Sequence, residues 1–119
     1  MRLMLAALLL TFATGVVAEQ VDNCATVLGS LSIELRFARE LPPGKRTTFT
    51  CARRYTSIVG ASRQRVLRAL GPPDQRAEDG GWSYFFLSRH DELAPGTPQL
   101  VFHFGGEDQV ESVDCLRSA

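Results

Sequence analysis
The hydrophobic period of this chain changes from helical to alternating across one punctuation mark, Leu70-Gly71-Pro72-Pro73. Before it, Val66, Leu67 and Leu70 fall at helical spacing behind Ser62, a good N-cap. Gly71 suits a left-handed C′ position, and Pro72-Pro73 forbids continuation. After it, Trp82, Tyr84 and Phe86 alternate with Ser83, Phe85 and Leu87. Leu100, Phe102 and Phe104 alternate with Val101 and His103 in the same way. Gly105-Gly106-Glu107-Asp108 then turns the chain into a third strand over residues 110–113. Helix first and hairpins afterwards is the signature of the α+β class.

A partner for that helix is predicted just upstream. Thr50 can cap it, and Cys51, Tyr55 and Ile58 form an inner face at i, i+4, i+7 before Gly60 breaks it. The expected order is therefore α-α-β-β-β, with two helices packed on one face of a three-stranded antiparallel sheet. Residues 19–46 keep two readings. Leu31, Ile33, Leu35 and Phe37 alternate as in a strand, while Cys24, Leu28, Leu31, Leu35 and Ala38 fall at helical spacing. Pro42-Pro43-Gly44 ends the element in either case.

With 119 residues, 45% apolar and 22% charged, the chain is expected to hold one globular domain. It is too short for a doubly wound cofactor-binding sheet. Its first 18 residues read as an export signal. Arg2 is the positive start, Leu3 to Ala13 is apolar but for Thr11, and Val16-Val17-Ala18 offers a cleavage site before Glu19. That run is shorter than the roughly 20 residues a spanning helix needs. Val21-Asp22-Asn23 before Cys24 does not fit the small-residue box of a lipoprotein. The expected organisation is thus a signal peptide at 1–18, an extension at 19–46 and a domain at 47–116. The mature chain is expected to be periplasmic or secreted.

Charge is unevenly spread. Residues 19–68 carry nine basic and four acidic side chains, whereas residues 69–119 carry three basic and nine acidic ones. The halves can neutralise each other, or the basic one can face an acidic partner or anionic lipid. An exported chain without net positive charge is not expected to bind nucleic acid.

Three cysteines remain after the signal, and in an oxidising compartment two should pair. An α-α-β-β-β order brings the start of the first helix beside the end of the third strand. That makes Cys51 and Cys115 neighbours and leaves Cys24 free or paired between molecules; Cys24–Cys51 is the alternative. The spacing fits neither a zinc framework nor a C-x-x-C redox pair.

Several short features in fixed order resemble a known family. They are Ile58-Val59-Gly60-Ala61-Ser62, Val66, Leu70-Gly71-Pro72-Pro73-Asp74, Trp82-Ser83-Tyr84, and Leu100 to Phe104 before Val110. The stretch from about 50 to 114 is similar to the periplasmic BamE family, also called SmpA/OmlA. The beta-lactamase inhibitor proteins are similar in their α-α-β-β-β unit. The first resemblance implies an envelope binding module without chemistry, possessing another envelope protein as partner and associated with outer-membrane assembly. The second implies a secreted inhibitor-like protein that binds an enzyme. The chain departs from the BamE pattern in lacking a lipid-attachment box, in its extension and in its cysteines.

No catalytic, cofactor or metal residues are expected. His90-Asp91-Glu92 with His103 reads as loop charge rather than a metal cluster, and oxidation would remove the thiolate that a Cys–His pair needs. The glycine pairs 80–81 and 105–106 lack the Lys and Ser/Thr of a phosphate loop. No small-molecule substrate is expected either. The candidate site is instead a binding strip. If Trp82, Tyr84, Phe86, Leu100, Phe102 and Phe104 face the helices, then Ser83, Phe85, Leu87, Val101 and His103 face away, and three of those five are large and apolar. Phe85, Leu87, Val101 and His103 are the expected contact residues. Either the strip meets a partner, or Leu31, Ile33, Leu35 and Phe37 fold across it.

Overall fold
The computed structural model describes residues 23–51 and 55–119. The signal peptide expected at 1–18 lies outside the described residues.

The extension adopts its helical reading. Residues 23–39 form α1, and Leu28, Leu31, Leu35 and Ala38 are its buried stripe. Ile33 and Phe37, which a strand would have placed beside Leu31 and Leu35, are 68% and 65% exposed. The i, i+3, i+7, i+10 set wins because it puts all its apolar area on one side of a helix. Past α1, Gly44 takes φ 80°, and its N–H donates to the Asp91 carboxylate at 3.0 Å. Ser88, itself buried, donates to the Leu41 carbonyl at 2.7 Å and pins this connection to the sheet.

The helix expected from Thr50 to Ile58 is corrected. Among the described residues of this segment, Thr50, Cys51 and Tyr55 are non-helical and a short 3-10 turn forms, Thr56–Ile58. Phe49 stacks flat on Phe86, with ring centroids 3.9 Å apart, and Cys51 is bonded to Cys115. Those two anchors hold the segment against the sheet on a non-helical path. Tyr55 and Ile58 still reach the core, because a single turn suffices to bring residues three apart to one side.

The second helix, α2, spans Arg63–Leu70, with Ser62 as the expected N-cap and the stop at Gly71, whose ψ of −171° is extended rather than left-handed helical. The Ser62 hydroxyl accepts from the Arg65 N–H at 3.1 Å. Gly71 sits at φ 78° and donates to the Leu67 carbonyl.

The sheet is antiparallel in the order β1-β2-β3-β4, with β1 Gln75–Arg76, β2 Trp82–Phe85, β3 Pro98–Phe104 and β4 Val110–Arg117. It has four strands, not three. β1 is two exposed residues paired to Ser83 and Trp82, too short to show any alternation. β4 also runs four residues beyond the expected end at Val113.

One core joins every layer. Leu28, Leu31 and Leu35 of α1 and Val66 and Leu70 of α2 cluster with Trp82, Tyr84, Leu100 and Phe102. Both helices therefore pack on the same face of the sheet. Tyr84, Leu100 and Phe102 are fully buried, and the Tyr84 and Phe102 rings meet edge-on at 5.6 Å. The Tyr84 hydroxyl donates to the Gly71 carbonyl at 2.8 Å, and burial pushes its ionisation well above the usual phenol range.

Candidate functional site
Alternation about this core generates a second surface. Ser83 and Phe85 of β2, Gln99, Val101 and His103 of β3, and Ser112, Asp114 and Leu116 of β4 occupy the positions between the buried ones. Register sets them in rows. Ser83, Val101 and Asp114 lie abreast, and so do Phe85, Gln99 and Leu116. His103 reaches diagonally to Asp114, with 2.9 Å between Nε2 and the carboxylate. Phe85, Val101 and His103 are half-buried, and Leu116 is 42% exposed. The face thus mixes three apolar side chains, Phe85, Val101 and Leu116, with Ser83, Gln99, Ser112 and one imidazole–carboxylate pair, a pair too exposed to add much stability.

The side chains proposed from sequence to cover this face do not do so. Leu31 and Leu35 are in the core on the opposite face, and Ile33 and Phe37 project to solvent.

Phe85, Val101 and His103 share the outward face of β2 and β3. Leu87 lies past the end of β2 and lines a cavity of about 330 Å³ between residues 44–47 and the 91–98 loop. Leu116 was not among the expected residues. The alternation Val113-Asp114-Cys115-Leu116 already carried the signal, because an inward Cys115 requires an outward Leu116.

The Cys51–Cys115 disulfide is present with the Cα atoms 5.7 Å apart, and Cys24 is free. The topological reason differs from the expected one. A non-helical segment, not a helix start, delivers Cys51 to β4.

Among the described residues, the two charge halves neutralise each other at two points. Arg39 of α1 meets Asp74 at 3.3 Å, and Arg63 of α2 meets Asp108 at 3.2 Å. The Arg63 guanidinium also lies 4.0 Å from the centre of the Phe104 ring. Asp74 does double duty, accepting from the Phe85 N–H at 2.7 Å and so fixing the edge of the outward face. Among the described residues, no group of three or more His, Cys, Asp or Glu is placed to hold a metal ion. Among them, too, no helix is long and apolar enough to cross a membrane.

No protein-family model, curated protein or solved structure matches this chain.

Proposed function
We propose that this chain is an exported, non-enzymatic binding module of the cell envelope that docks another envelope protein on the outward face of its sheet. The observation that carries the reading is the segregation of the two helices. Both sit on one face, which leaves Phe85, Val101 and Leu116 uncovered by a helix among polar neighbours on the other. Half-exposed aromatic and aliphatic side chains of this kind act as anchors worth roughly 2 kcal/mol or more when a partner buries them.

The resemblance to BamE supports the envelope assignment through the capped α2, the Gly71-Pro72-Pro73 turn and the aromatic strands that follow. An export signal at 1–18 and an oxidised Cys51–Cys115 pair are consistent with a compartment outside the cytoplasm.

The test is the double substitution Phe85→Ser, Val101→Ser. The reading expects a folded protein, judged by circular dichroism and its thermal midpoint, that no longer captures its envelope partner on crosslinking. Undiminished capture by the folded double variant would refute the binding face. A fold lost along with the two side chains would make the strip core instead.

A further inference from the structure
A second surface lies on the helical side, and it does not depend on the reading of the sheet face. Ala25, Gly29, Ser32 and Arg36 of α1 are spaced i, i+4, i+7 and i+11, so they form one stripe along the helix. That stripe lines a groove of about 560 Å³ against Arg65, Arg68 and Ala69 of α2. A Cβ added at Gly29 would meet nothing within 4 Å, so the groove is open along its floor.

Among the described residues, no carboxylate lines it. Arg36, Arg65 and Arg68 make no ion pair among the described residues, whereas Arg39 on α1 and Arg63 on α2 each find an aspartate. The internal neutralisation of the basic half therefore stops short of this groove. It leaves Arg36, Arg65 and Arg68 along one channel, Arg65 half-buried and the other two exposed, where like charges repel and an anion is favoured.

We propose that the α1–α2 groove binds an acidic, extended segment of a partner polypeptide. Charge complementarity argues for the sign, and dimensions argue for a chain rather than a small ion. The stripe from Ala25 to Arg36 runs about 16 Å along the helix, the span of about five extended residues. Alternate side chains of such a segment would fall on the arginine side, where guanidinium forks hold carboxylates in paired hydrogen bonds. The small side chains of the stripe let its backbone approach closely.

The experiment is fluorescence anisotropy of the oxidised protein with a labelled peptide of alternating glutamate and alanine. The control peptide carries glutamine in place of every glutamate. The glutamate peptide is expected to bind, and the control about tenfold or more weaker. Arg65→Gln/Arg68→Gln is expected to lower the affinity by a similar factor, with its thermal midpoint unchanged. Raising salt from about 50 to about 300 mM is expected to weaken binding further. Gly29→Leu fills the groove without changing charge, and it should abolish binding as well. Equal binding of the two peptides, or retention of affinity in Gly29→Leu, would overturn the proposal. So would tripolyphosphate that binds the same groove more tightly than the peptide, since the site would then be one for small polyanions.

Discussion

Tyr84 and Phe85 are adjacent in β2, yet they belong to different regions of the molecule. Tyr84 is fully buried beneath two helices, while Phe85 is half-exposed on the far face, its N–H held by Asp74. The same division runs across β3, where Leu100 and Phe102 are fully buried and Val101 and His103 are not. Sheet alternation makes two surfaces from one run of sequence, and the helices choose which becomes the core. The unchosen surface keeps apolar side chains that no helix covers. That surplus is what a binding reading explains.

The contrast can be broken most sharply by truncation on each face. Phe102→Ala should cost about 4 kcal/mol or more in urea unfolding, because the ring is fully enclosed and meets Tyr84 edge-on. Val101→Ala, one residue away, should cost under about 1 kcal/mol. Equal losses would erase the distinction between the faces.

Removing the disulfide by Cys51→Ser/Cys115→Ser should destabilise by about 4 kcal/mol in the chain-entropy account, since it closes a separation of 64 residues. The loss is global, so it should lower the unfolding midpoint without selectively affecting the outward face.

The two sides of α1 offer a smaller version of the same comparison. Leu35→Ala should cost about 3 kcal/mol, while Ile33→Ala, 68% exposed, should stay within about 0.5 kcal/mol. A reversal would mean that the strand-like alternation of residues 31–37, not the helical stripe, describes the native packing.

The smallest effect concerns Tyr84→Phe, which removes the hydroxyl that donates to the Gly71 carbonyl and should cost about 1 kcal/mol at neutral pH. Burial raises the folded-state ionisation of Tyr84 above its unfolded value. Its contribution is therefore complete below about pH 10 and falls as pH rises beyond that. The stability difference between the native protein and Tyr84→Phe should narrow in that alkaline window, measured by urea unfolding at several pH values.

What was legible in the sequence follows the same physics. β2, β3 and α2 announce themselves, because each combines a clear period with a cap or turn residue at its end. Their inward residues could be named from alternation alone. β1 could not, since two exposed residues are too few to show an alternation. The helix expected at 50–58 failed for a different reason. Its i, i+4, i+7 spacing was real, but the Cys51–Cys115 disulfide and the stacking of Phe49 on Phe86 are long-range contacts that local spacing does not announce. The groove between α1 and α2 was illegible for as long as residues 31–37 supported two periods.

The most direct test of the central claim is a photo-crosslinking scan in the native compartment. Benzoylphenylalanine would be placed in turn at Gln99, Val101 and Ser112 on the outward face, and at Glu78 in the β1–β2 turn as the reference. The account predicts one common adduct from the three sheet positions and none from Glu78. Adducts from Glu78 alone, or none shared among the sheet positions, would contradict it.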